Sequence, residues 1–162
     1  MRECIQLAES SIQADLQAGR AAMVDCVNFH FDIDGDNFTS AGEASVRIKK
    51  HLREMGFSPD SIRRVSVAMY EGEINMVIHA NGGTADVNVY VDRIEIILAD
   101  NGPGISDIDL AMQEGYSTAP DNIRSLGFGA GMGLPNMKRY TDDMKIESEV
   151  GKGTTIYMTV NV

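Results

Sequence analysis

The sequence predicts an α+β fold: a two-layer α/β sandwich in which helices cover one face of a mixed, mostly antiparallel sheet. Three observations carry that prediction. Strand-type segments come in hairpin pairs, 85–90 with 93–99 and 144–149 with 153–161. Two helical patterns, 41–55 and 59–80, stand in succession between the first strand and the first hairpin. With 162 residues, 43% hydrophobic and 23% charged, the chain suffices for one core and hardly for two.

Along the chain, residues 1–24 are expected to form a helical extension. Ile5, Leu7, Ala8, Ile12 and Leu16 make a thin stripe, and Gly19 is a suitable stop. Two readings of that stripe stand side by side, docking on a partner and packing on its own domain. "MVDCVNFHFDI" then alternates, with Val27, Phe29 and Phe31 on one side and Asn28, His30 and Asp32 on the other, as in a half-buried strand. His30 reads as a surface residue. "DGDNFTS" is a turn cluster that ends on Thr39 or Ser40 as N-cap.

The helix 41–55 carries Ala41, Ala44, Ile48, Leu52 and Met55 at helical spacing and stops at Gly56. Ser58 and Pro59 start the next helix, as N-cap and first helical residue, and "NGG" at 81–83 ends it. A hairpin with a "VD" connection follows, then "DNGPG" at 100–104 and a short helical piece near 106–113. A glycine-rich region runs from Gly115 to Gly133, a helix spans about 132–141, and the last two strands meet across "GKG".

Composition narrows the function. A net charge of −10 argues against general binding to nucleic-acid backbones but leaves room for a nucleotide site built from backbone N–H groups and a metal ion. Cys4 and Cys26 have no metal-ligand spacing and read as free thiols. The N-terminus lacks the apolar core of a signal peptide, and no apolar run approaches the roughly 18–20 residues of a membrane span. A cytoplasmic protein without membrane contact is the expectation.

The stretch "YEGEINMVIHA" at 70–80 holds the chemistry. Its helix is apolar over most of its circumference, with Ile62, Val65, Met69 and Met76 in one row and Val67, Ile74, Val77 and Ile78 in another. Yet Glu71, Asn75 and His79 recur every fourth residue and so stack along one edge. That edge must face a cleft, water or a ligand, because unpaired buried polar groups cost about 1–3 kcal/mol each. Gly72, in mid-helix, implies that something passes close to the backbone.

"DNGPG" adds a carboxylate at a strand end, Asp100, followed by Gly102 and Gly104, which let backbone approach a flat ligand. A carboxylate there suits the exocyclic amine of adenine. "GFGAGMGL" places Gly127, Gly129, Gly131 and Gly133 directly before a helix, whose first N–H groups and positive dipole end suit phosphate. Taken singly, these features equally suit a solvated helix edge, a Pro-Gly turn and a flexible loop. No Gly-Lys-Ser/Thr closes the glycine region, and no βαβ unit surrounds it, so neither a Walker A loop nor a Rossmann site fits.

Taken together and in order, Glu71-x-x-x-Asn75, Asp100-x-Gly102-x-Gly104, Gly129-x-Gly131-x-Gly133-Leu134 and Gly153-Thr154-Thr155 resemble the boxes of the GHKL ATPase superfamily. That superfamily comprises the gyrase, Hsp90, histidine kinase and MutL types. The likeness covers about residues 25–162, and "YSTAPDNIRSLGFGAGMGLPNMKRYTDDMKIESEVGKGTT" is most similar to bacterial anti-sigma factors and switch serine kinases.

The resemblance implies an ATP- or ADP-binding domain at 25–162 with Glu71 as catalytic base and Asn75 as the Mg²⁺ ligand. Asp100 would hold the adenine amine, Gly104 would allow close approach, and Thr154 or Thr155 would join a water-linked network. His79, Gly102, Gly129, Gly131, Gly133 and Leu134 complete the implied nucleotide-binding set, and residues 114–133 would form a lid. Glu73, two residues before Asn75, points roughly 200° away from it. Roles for Ser117, Thr118, Lys138 and Arg139 stay open between ligand contact, partner contact and plain surface.

Two functions follow from the resemblance. One is a serine kinase acting on a small STAS-type antagonist protein. The other is a nucleotide-gated binding module, such as an anti-sigma factor, with little turnover. A protein partner is expected in either case, a STAS-type antagonist or a sigma factor, and a homodimer is among the expected assemblies. Residues 1–24 are too few for the helical dimerisation hairpin of a sensor histidine kinase.

Overall fold

A computed structural model describes residues 26–36, 41–119 and 129–162. The expected helix at 3–19 and the expected caps Thr39 and Ser40 lie outside them. Five strands form one sheet: β1 (Val27–Asp34), β2 (Gly82–Val89), β3 (Arg93–Asp100), β4 (Asp143–Glu149) and β5 (Gly153–Asn161), in the order β1-β2-β3-β5-β4. The sequence suggests a mixed, mostly antiparallel sheet; all four pairings are antiparallel. Both hairpins are local, and the pairing of β3 with β5 joins them.

Helices α1 (Glu43–Glu54), α2 (Pro59–Asn75) and α4 (Gly133–Tyr140) accompany the sheet, and α3 (Ile108–Ala111) is a single turn beyond β3. Alternation in the strands decides which face is covered. Val87, Ile94, Ile96, Leu98, Met158 and Val160 point inward and pack with Ile48 and Leu52 of α1, Val65 and Met69 of α2, and Met137 of α4. Burying each such side chain contributes about 1.5–3 kcal/mol. The opposite face is polar: Asn28 donates to Asn88 at 2.8 Å, and exposed His30 pairs with Asp86 at 2.7 Å, which raises its imidazole pKa.

Helix α2 is the central element, packed between α1 and α4. Ser58 caps it, accepting the Ser61 N–H at 3.1 Å, with Pro59 in the first turn. Gly72 is required by the sheet beneath. A Cβ there would lie 2.0 Å from Leu98 Cδ1, so the close neighbour implied by a mid-helix glycine is a core leucine. Beyond Asn75 the helix widens into a π turn, Met76–Ala80, which ends on Asn81 in the left-handed region at φ 58°.

Helix α1 has Gly42 at its N-cap position with no side-chain cap from its own sequence. The carboxylate of Glu73 on α2 fills that role, accepting from Gly42 N at 2.9 Å, Ala44 N at 3.1 Å and Ser45 N at 2.6 Å. At 1% exposure Glu73 is core, and burial raises its pKa against the opposing effect of these donors. At the far end of α2, Arg64 reaches the Tyr140 carbonyl at 3.2 Å and the Asp142 carboxylate at 2.8 Å, fixing the exit of α4 into β4.

Candidate functional site

A cavity of about 490 Å³ opens between α2, the end of β3, the start of β5 and the segment leading into α4. That volume falls in the range of small-molecule sites, about 300–1,000 Å³. Glu71, Asn75 and His79 all line it, so the polar edge of α2 and its π turn faces this cleft. A π turn at such a place re-aims the last side chains of a helix and recurs at functional sites.

Register sets the floor. β3 pairs with β5 so that Asp100 stands opposite Thr154, and both line the cavity. Asp100 Oδ1 accepts the N–H of Gly102 at 2.8 Å and of Thr154 at 3.2 Å. Oδ2 accepts no hydrogen bond among the described residues, so it is available to a donor in the cavity. Thr154 is 8% exposed, and its hydroxyl shares a 2.8 Å hydrogen bond with Ser148. Ser148 also accepts the Ile105 N–H at 2.8 Å, tying the β3 loop to the β4–β5 hairpin.

Gly104, Gly129, Gly131, Gly133 and Leu134 line the cavity with them, as do Ser117 and Thr118. Gly133 lies against Asn75: a Cβ there would meet both terminal atoms of its amide at 3.0 Å. The Gly115 N–H donates to the Gly131 carbonyl at 3.0 Å, pinning the two ends of the glycine-rich region together. Of the expected lid at 114–133, residues 120–128 lie outside the described residues.

Two expected positions do not reach the cavity. Thr155 follows Thr154 on β5, and strand alternation sends its side chain to the other face of the sheet. Gly102 gives its N–H to Asp100, and a Cβ there would strike Ala80 at 2.6 Å. Gly104 does border the cavity, at φ 73°, but the atoms that forbid a side chain there are the Glu149 backbone at 2.3 Å. The glycines of "DNGPG" thus admit protein backbone.

Among the described residues, the charged side chains that line the cavity include the carboxylates of Glu71, Asp100 and Asp107. Among the described residues that line the cavity, none is Lys or Arg. Lys138 is exposed on α4, and Arg139 pairs with Glu114 at 3.0 Å on the surface. Burial lowers the His79 pKa, against the opposing pull of the Asp100 carboxylate. Burial thus disfavours the charged form of His79 at the cleft.

A sequence profile of the histidine kinase-, DNA gyrase B- and HSP90-like ATPases matches residues 37–162. The chain belongs to this ATPase family. Membership implies a domain that binds a nucleotide. Two relatives within this ATPase family are the anti-sigma F factor of Priestia megaterium and the serine/threonine-protein kinase RsbT of Bacillus subtilis. The first is 30% identical over 122 residues, covering 71% of this chain and 80% of the relative. The second is 34% identical over 108 residues, covering 64% and 75%. Among solved structures, that of the RsbU and RsbW domains of Rv1364c from Mycobacterium tuberculosis shares the fold. Its TM-score is 0.57 at 17% identity, over 83% of this chain and 32% of that one.

Two residues of this ATPase domain escaped sequence reasoning. Asn136 on α4 donates from Nδ2 to Glu71 Oε1 at 2.7 Å, and Ser148 supports Thr154. Asn136 sits three residues after Gly133, on the same helical face, and that spacing is the signal that would have found it. No spacing announces Ser148, whose place depends on the register of β4 with β5.

Proposed function

We propose that the chain is an ATP- and Mg²⁺-dependent serine protein kinase that transfers the γ-phosphoryl group to a serine of a small STAS-type antagonist protein. One observation carries the reading: Glu71 and Asn75, one helical turn apart, face the cavity whose floor holds the Asp100 carboxylate. A base, a metal-binding amide and an adenine acceptor thus share one cleft. The name of the Bacillus subtilis relative, a serine/threonine-protein kinase, supports the same reaction class.

In this reading the adenine amine donates to Asp100, whose Oδ1 is already fixed by Gly102 and Thr154. The phosphates lie toward α4, near the N–H groups that follow Gly131. Among the described residues no cluster of His, Cys, Asp or Glu suffices for a metal ion by itself. The amide of Asn75 and the carboxylate of Glu71 line the same cavity, so a divalent ion arriving with the nucleotide fits the donor set. Asn75 would hold it by its amide oxygen, with phosphate oxygens and water as the other ligands. Mg²⁺ so bound supplies charge neutralisation on the transferred group. Glu71 accepts the proton of the serine hydroxyl as the seryl oxygen bonds to the γ-phosphorus and the bond to the ADP oxygen breaks.

A second reading, a nucleotide-gated binding module acting on a sigma factor with little turnover, is favoured by the relatives named anti-sigma F factor. One experiment separates the two. The purified protein and its Glu71→Gln variant are incubated with γ-labelled ATP, Mg²⁺ and lysate of the source organism. A labelled protein band that the variant loses by about 100-fold or more, with ATP binding retained, supports the kinase. Equal labelling by both removes Glu71 as the base. No band from either, with ATP bound, leaves the binding module.

A further inference from the structure

We propose that Asn136 is a positioning residue for Glu71. The inference rests on the kinase reading above and adds a residue to that site. Asn136 does not line the cavity. It stands behind Glu71 on α4 and gives its amide hydrogen to Oε1 at 2.7 Å. Among the described residues this is the one side-chain hydrogen bond that the Glu71 carboxylate accepts.

A glutamate at a cleft is a poor base while its carboxylate turns freely. It must meet the acceptor hydroxyl at hydrogen-bond distance and in line. A donor on Oε1 fixes the plane of the carboxylate and leaves Oε2 for the incoming proton. An amide can do this, being neutral: it holds the anion without competing for a proton, as a lysine would by pairing with it. Helix α4 is a suitable anchor for such a donor. Its Met137 is fully buried in the core, Thr141 at its end bonds back to the Met137 carbonyl at 2.8 Å, and Arg64 holds Tyr140. The first turn of α4 therefore touches both working residues of α2, Asn75 through Gly133 and Glu71 through Asn136. The helix that receives the glycine-rich segment is also the one that aligns the base.

The test is a double-mutant cycle in the full chain, read as the rate at which labelled phosphoryl leaves Mg·ATP, to water or to the protein acceptor. The variants are Asn136→Leu, similar in shape without the donor, Asn136→Gln, which keeps it, Glu71→Gln, and Glu71→Gln with Asn136→Leu. The expected result is a kcat about 10- to 100-fold lower in Asn136→Leu with KM for ATP unchanged, since a base displaced by an ångström costs about that much. Asn136→Gln should recover part of the loss. In the Glu71→Gln background, Asn136→Leu should change the rate less than twofold, because there is no base left to align.

A rate in Asn136→Leu equal to that of the unmutated chain, with Glu71→Gln strongly slowed, overturns the positioning role alone. Additive losses in the double variant, or a KM that rises with the fall in kcat, also overturn it and assign Asn136 to packing. Full activity in Glu71→Gln overturns both this role and the reading on which it rests.

Discussion

The carboxylate of Glu73 reaches back 28 positions to accept the backbone N–H of Ser45 at 2.6 Å, so that one helix caps another. With Gly42 and Ala44 it satisfies three amides at the start of α1. Glu73→Leu keeps much of the bulk and removes the acceptor. The expected cost is roughly 1–3 kcal/mol for each amide left buried without a partner. Urea unfolding should show it as a lower midpoint at unchanged slope. Burial raises the Glu73 pKa, so the native state holds this proton to higher pH than the unfolded chain does. Its contribution is therefore greatest below about pH 4.3 and declines as pH rises through the folded value. The gap between the two proteins should narrow in the same direction.

Gly72 and Leu98 give a steric prediction. Alanine improves helix propensity by about 1 kcal/mol over glycine, but its Cβ would overlap Leu98 Cδ1. Overpacking a dense core costs about 1–3 kcal/mol, and a 2.0 Å approach belongs at the upper end. Gly72→Ala should lower stability on balance, and Leu98→Ala in the same chain should return part of the loss. Additive losses in thermal unfolding would dispose of the clash as the cause.

Asp100→Asn separates the structural oxygen, Oδ1, from the oxygen that the proposed reading gives to the nucleotide. Asparagine can still accept the Gly102 and Thr154 N–H groups through its carbonyl, so the thermal midpoint should change little. In the proposed reading its NH₂ would then meet the adenine amine, donor to donor. Losing a hydrogen bond to a charged group costs about 1.5–3 kcal/mol, or roughly 10- to 150-fold in ATP affinity by calorimetry. Undiminished affinity would remove Asp100 from the nucleotide site.

His79 predicts an acid-side loss of stability. Its imidazole is held below the ordinary value by burial, so the unfolded chain takes up this proton first. The contribution is present above about pH 6.5 and is lost as pH falls toward the folded value. His79→Gln should flatten the thermal midpoint between pH 7 and pH 5 relative to the parent chain. An identical slope in both would show that other groups govern that window.

Much of this molecule can be read from local signals. Hairpins at 85–99 and 144–161, the cap at Ser58 and the stop at Asn81 follow from patterns within a few residues, and the polar edge of α2 follows from a spacing of four. What eludes the sequence depends on elements far apart in the chain. Thr154 and Thr155 are chemically identical neighbours, and the pleat alone sends one to the cleft and the other to the opposite face. Glu73 resembles a solvated helix charge until α1 is laid against it. Gly102 and Gly104 resemble ligand-facing glycines until Ala80 and the Glu149 backbone are in place.

The bond from the Gly115 N–H to the Gly131 carbonyl has a consequence for how this domain can diversify. With both ends of the intervening segment already brought together, lengthening it costs little chain entropy, about 0.6 kcal/mol for each doubling. The hairpins on either side carry their own registers and do not depend on its length. Insertions and deletions should therefore accumulate between these two glycines, where the chain can change length without reworking the sheet.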